Sequence, residues 1–97
     1  MRGGSNVYPD EVEAVLAQHD AVAAAGVVGR PSPKLGEEVV AFVVRRRAVD
    51  AEALIAHCRG RLAAYKSPAE IVFVEDLPRT TFGKVDRKEL AAIARAR

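Results

Sequence analysis

Pro78-Arg79-Thr80-Thr81-Phe82-Gly83-Lys84-Val85 is the one stretch of the chain where loop-forming residues, hydroxyls and an isolated lysine converge. The elements on either side of it settle the architecture. Upstream, Ile71-Val72-Phe73-Val74 is a short apolar run with β-branched residues and reads as a buried strand, from which Glu75-Asp76-Leu77 leads out to Pro78. Gly83 frees the backbone just before the lysine. Downstream, Asp86 reads as the N-cap of a helix, with Glu89 at the third helical position reaching back to it. Lys84 is therefore expected at a turn, on a short tether between strand and helix. A primary ammonium held this way is a mobile point charge suited to phosphate or carboxylate oxygens.

Toward the N-terminus, Pro9 suits a first helical position, Asp10, Glu11 and Glu13 complement the positive end of a helix dipole, and Val12, Val15 and Leu16 share a face. A first helix of about ten residues is expected there. Val22 to Val28 and the valine-rich Glu38 to Arg45 read as two strands joined by a loop over Gly29 to Gly36. Asp50 caps a second helix carrying Leu54, Ile55, Cys58 and Leu62 at helical spacing and ending near Tyr65, where Lys66-Ser67-Pro68 breaks it. Leu90 and Ile93 mark a last helix. The order helix, strand, strand, helix, strand, loop, helix predicts an α+β domain, a small sheet of about three strands with helices packed against it.

Ninety-seven residues make one domain with a single core, too small for a deep cleft of its own. A hydrophobic content of 49% and a charged content of 29% are ordinary for a globular domain, and 5% aromatic residues leave little material for base stacking. Lys+Arg 15 against Asp+Glu 13 gives a net charge of only +2, so a nucleic-acid partner is not expected. The lone Cys58 excludes an intrachain disulfide and reads as a small core residue, and His19 and His57 lack partners at metal-ligand spacing, so no metal site is expected. No apolar run approaches the roughly 20 residues that span a bilayer and no leader is visible, which predicts a cytoplasmic chain without a membrane segment. A phosphate-binding P-loop fails at Lys84, because its upstream glycine is absent and Val85 stands where Ser or Thr belongs. The arginines Arg45 to Arg47 read as the solvent end of the second strand.

Four motifs occur in a telling order: Gly3-Gly4-Ser5-Asn6-Val7-Tyr8-Pro9 with Glu11-Val12-Glu13, then Val27-Val28-Gly29-Arg30-Pro31 with Lys34-Leu35-Gly36-Glu37, then Tyr65-Lys66-Ser67-Pro68, then Pro78-Arg79-Thr80 with Gly83-Lys84-Val85 and Arg87. Together they resemble the C-terminal domain of the adenylate-forming acyl-CoA synthetases, in the form that fatty-acid and other carboxylate CoA ligases carry. The resemblance implies that residues 1–97 are that domain, with an N-terminal domain for ATP, Mg²⁺ and the acyl chain lying elsewhere. It implies two steps: a carboxylate attacks ATP to give acyl-adenylate and pyrophosphate, then the thiol of CoA displaces AMP to give a thioester.

By the same resemblance the small domain rotates between the steps. Lys84 is implied as the catalytic lysine of the first, bridging carboxylate and nucleotide. Gly3 and Gly4 are implied to line the pantetheine channel of the second. Arg79, Thr80 and Thr81 are implied to shape the lysine loop, with Arg79 and Thr80 near the cofactor, and Lys66 or Arg45 to Arg47 to meet CoA phosphates. Its partners would be its own N-terminal adenylation domain, a carboxylic-acid substrate and CoA. Alone, the chain is expected to be inactive. Acylation of Lys84 would remove its charge and switch off the first step. Two other classes stay open from sequence: a free-standing interaction or dimerisation module of the same fold beginning at Met1, and a small basic nucleic-acid binder, whose binding would be steeply salt-dependent.

Overall fold

The computed structural model describes residues 7–34 and 36–97. Helix α1, Pro9–Ala17, opens on the proline, whose missing N–H is one that no helix of this kind would bond anyway, and buries Val12, Val15 and Leu16. Strand β1, Val22–Ser32, pairs antiparallel with β2, Gly36–Arg45. Helix α2, Ala51–Arg59, is capped by the Asp50 side chain, which accepts from the Ala53 N–H at 2.8 Å, and buries Leu54 and Cys58. Strand β3, Glu70–Phe73, runs parallel to β2, and helix α3, Arg87–Ala96, closes the chain with the Asp86 side chain accepting from the Glu89 N–H at 3.1 Å.

The sheet has the order β1-β2-β3, so β2 is central. Alternation divides its side chains between two apolar layers: Val39, Ala41 and Val43 pack with α1 and α2, while Val40 and Phe42 pack with Leu77, Leu90 and Ala94 beneath α3. Five consecutive residues of β2, Val39 to Val43, are at most 2% exposed. The expected α+β fold is present, with helices on both faces of the sheet.

Three local readings are corrected. The strands continue through the segment expected as a loop, pairing Arg30 with Glu38, Pro31 with Glu37 and Ser32 with Gly36. A proline is tolerated in β1 because it is an edge strand, and Arg30 is drawn to Glu38 at 2.6 Å and to Glu70 at 2.7 Å, tying β1 to β3 across β2. Helix α2 stops at Arg59 rather than near Tyr65. Gly60 follows, a residue that weakens a helix interior by about 1 kcal/mol relative to alanine, and Ala63 is extended at φ −58, ψ 146 before a single 3-10 turn, Ala64–Lys66. The third strand is half-buried rather than buried, with only Ile71 in the core, because it forms the other edge of the sheet.

Candidate functional site

The lysine loop is a tight hairpin stitched by backbone. Arg79 and Val85 form an antiparallel bridge. The Thr80 N–H donates to the Lys84 carbonyl at 2.8 Å, the Gly83 N–H to the Thr80 carbonyl at 2.9 Å, and the Asp86 N–H to the Pro78 carbonyl at 2.8 Å. Two side chains brace the turn: the Arg79 guanidinium donates to the Gly83 carbonyl at 3.2 Å, and Thr80 Oγ1 accepts from the Phe82 N–H at 3.3 Å. Gly83 sits at φ +84, in the left-handed region where a side chain is strained.

The root of the hairpin is packed. Val85 and Leu77 lie against Gly26 of β1, where an added Cβ would come within 3.2 Å of Val85 and 2.7 Å of Leu90, so the missing side chain is what lets the loop and α3 settle on the sheet. Above that root the tip stands in water. The Lys84 side chain is exposed and makes no hydrogen bond or ion pair with any described residue, and the neighbouring Phe82 is 90% exposed.

Lys66 is differently placed. Its Nζ pairs with Glu11 at 3.0 Å and lies 4.6 Å from the centre of the Tyr8 ring, while Tyr65 meets Tyr8 edge to face. The hydrogen bond that Lys66 donates to Glu11 holds the Lys66 pKa above its ordinary value. The arginine run is also engaged: Arg45 lies 4.0 Å over the Phe73 ring, Arg46 donates to the Asp20 carbonyl, and Arg47 pairs with Asp20 at 2.9 Å. Near Lys66 an open groove of about 650 Å³ is lined by Glu38, Arg59, Tyr65 and Ser67 among others.

Gly3 and Gly4 lie outside the described residues. His19 and His57, distant in sequence, meet edge to face with ring centres 5.1 Å apart, and His57 Nε2 lies 2.7 Å from the Val15 carbonyl. They join α1 to α2. Cys58 is buried in the core as expected, and burial pushes its thiol up to about 11. Among the described residues no group of three or more His, Cys, Asp or Glu side chains is placed to hold a metal ion, and no helix is long and apolar enough to cross a membrane.

Sequence reading missed the Tyr8–Lys66–Glu11 contact and the role of Arg87, which reaches back from the first turn of α3 to Glu13 and Asp10 of α1. The only sequence signal was that Tyr8, Glu11, Glu13, Lys66 and Arg87 all lie inside the quoted motifs.

Known proteins share this fold. A family model described as the AMP-binding enzyme C-terminal domain matches residues 11–84, ending on the hairpin lysine. The 2-succinylbenzoate–CoA ligase of Bacillus cereus is 48% identical over 90 residues, which is 93% of this chain and 19% of that protein. Among solved structures, the fatty acyl CoA synthetase of Mycobacterium tuberculosis superposes with a TM-score of 0.87 at 37% identity, covering 97% of this chain and 19% of that one. The o-succinylbenzoate CoA synthetase of Bacillus subtilis, in complex with its acyl-adenylate intermediate, gives 0.85 at 44% identity, covering 91% and 18%. The chain thus spans about a fifth of the length of these relatives. With the family model covering most of its length, the chain belongs to the AMP-binding enzyme C-terminal domain family.

Proposed function

We propose that this chain is the mobile catalytic domain of a carboxylate–CoA ligase, and that Lys84 is its adenylation residue. The observation that carries the reading is the contrast inside the hairpin: a backbone fixed by the Arg79–Val85 bridge and its flanking hydrogen bonds, presenting an ammonium that no described residue neutralises. Such a group is complementary to charge that arrives from another body.

In the first step a carboxylate oxygen bonds to the α-phosphorus of ATP and the bond to pyrophosphate breaks. Lys84 stabilises the negative charge that gathers on the phosphate oxygens and bridges the attacking carboxylate to the nucleotide. In the second step the CoA thiolate attacks the acyl carbonyl and AMP leaves. The domain turns between the steps in this reading, and Gly3 and Gly4 serve the second, since glycine leaves room for the thin pantetheine arm. The larger N-terminal domain would hold ATP, Mg²⁺ and the acyl group. Arg79 and Thr80 keep the hairpin in shape in this reading, and Lys66 serves the fold or a CoA phosphate at its exposed edge.

The acyl substrate is a carboxylate. The relatives above are named for 2-succinylbenzoate and for fatty acyl groups, so a fatty acid is one candidate beside an aromatic acid. Acylation of Lys84 would silence the first step and spare the second.

The test compares wild type with Lys84→Ala in a full-length ligase carrying this chain, measuring adenylate formation and, separately, thioester formation from supplied acyl-adenylate. A loss of about 10²-fold or more in the first step alone is expected. Equal losses in both steps would reduce Lys84 to a structural role, and no loss in either would leave the family assignment without this site.

A further inference from the structure

An exposed lysine stabilises a transition state only if its Cα is held still, because a misplacement of about 1 Å can remove about 10²-fold of rate. Among the described residues, backbone bonds close the Lys84 hairpin upon itself and do not join it to the rest of the domain. Its described root is held in two ways. One is apolar, Val85 and Leu77 against Gly26 of β1. The other is polar and begins at Arg87, the first residue of α3.

The Arg87 guanidinium bridges two carboxylates on successive turns of α1: Nη2 lies 2.7 Å from Glu13 Oε1 and 3.1 Å from Asp10 Oδ1, and Nε lies 3.3 Å from Glu13 Oε2. The two arms are unequal. Asp10 is 95% exposed, where water and salt screen a pair almost completely, whereas the Glu13 side chain is 20% exposed. Glu13 Oε2 also accepts from the Val27 N–H at 2.8 Å, next to the Gly26 on which Val85 rests. One carboxylate therefore joins α1, β1 and the root of the lysine hairpin.

We propose, building on the reading of Lys84 above, that Arg87 is a positioning residue for adenylation: through Glu13 it clamps the hairpin to α1 and β1, so that Lys84 swings with the whole domain instead of on its own loop. Arg87 touches neither Lys84 nor the reacting atoms. A lysine at this position keeps the charge but gives up the fork that spans both oxygens of Glu13, so Arg87→Lys should recover part of the function.

The experiment has two readouts on Arg87→Ala, Arg87→Lys and Glu13→Gln. In this chain, ¹⁵N relaxation at residues 81–84 reports hairpin order beside a thermal melt. In the full-length ligase, the two half-reactions are measured with Lys84→Ala as reference. Expected are a fall in hairpin order with a folded core, a drop in kcat for adenylation of about tenfold or more at little-changed KM for ATP, an intact thioester step, and an intermediate Arg87→Lys. Unchanged hairpin order overturns the inference, as does an equal loss in both half-reactions. If Lys84→Ala proves inactive in adenylation while Arg87→Ala is fully active, this inference alone fails. If Lys84→Ala retains full activity, the reading beneath it fails as well.

Discussion

Lys66 and Lys84 both follow sharp breaks in the chain, and the structure treats them in opposite ways. Lys66 has a fixed carboxylate at 3.0 Å and a tyrosine ring beneath it. Lys84 has a fixed backbone and no described side-chain partner. Ordering a lysine and satisfying it are thus separate operations. Where both are done within the domain, as at Lys66, the charge is paired with Glu11 and holds α1 against the turn at Ala64–Lys66. Where only the first is done, as at Lys84, the charge stands open to water.

Removing each ammonium in turn tests this contrast most directly. Lys84→Ala should lower adenylation by about 10²-fold or more and leave the melting temperature unchanged. Lys66→Ala should do the reverse, lowering the melting temperature while leaving adenylation within about twofold. Paired kinetic and calorimetric measurements decide it, and a Lys66→Ala enzyme as inactive as Lys84→Ala would erase the distinction.

A smaller effect probes the ordered backbone alone. Gly83→Ala meets no atom within 4 Å of the new Cβ, so any penalty must come from φ +84. For an alanine in that region the penalty is about 1–2 kcal/mol, to be read as loss of hairpin order and a several-fold slower adenylation. A Gly83→Ala variant indistinguishable from wild type would show that the turn's conformation is not what presents the lysine.

Amine chemistry offers a milder test. Lys66 keeps its proton more firmly than usual, chiefly through the hydrogen bond to Glu11. Limited labelling with an N-hydroxysuccinimide ester, mapped by mass spectrometry, should therefore modify Lys84 before Lys66. The reverse order would contradict the assigned pairing.

The smallest effect lies on the alkaline side of the stability curve. Because the folded pKa of Lys66 is raised above its ordinary value of 10.5, its contribution is fully present below that pH and lost as pH rises through the folded value. Melts above about pH 10.5 should fall more steeply for wild type than for Lys66→Met. Parallel slopes would mean that the Glu11 contact adds no net stability.

These contrasts also mark where sequence reading succeeds and where it stops. The N-caps at Asp50 and Asp86, the opening proline of α1 and the turn before Lys84 were legible because each is a contact between residues a few positions apart, but Glu89 does not reach back as expected, since the Asp86 N–H donates to the Pro78 carbonyl across the hairpin. The extension of β1 through Pro31 was not, since it depends on Arg30 finding Glu38 and Glu70 across the sheet. The end of α2 was misplaced because Leu62 continues the apolar spacing past Gly60, and only the extended Ala63 shows that the helix has stopped. Lys84 stood out as a candidate because the loop around it is local and the motif specific. The partners that set Lys66 and Arg87 apart from it lie 55 and 74 positions away, at Glu11 and Glu13, and no local pattern announces a pairing at that range.

Strand β2 governs how the domain comes apart. Its alternate side chains belong to two apolar layers, one under α1 and α2 and the other under α3. Neither layer can melt while the other persists, since withdrawing β2 from one empties both. Unfolding should accordingly be a single cooperative transition, and the slowest amide exchange should fall on Val39 to Val43. A domain built this way has no half-molten intermediate in which one apolar layer is lost and the other survives.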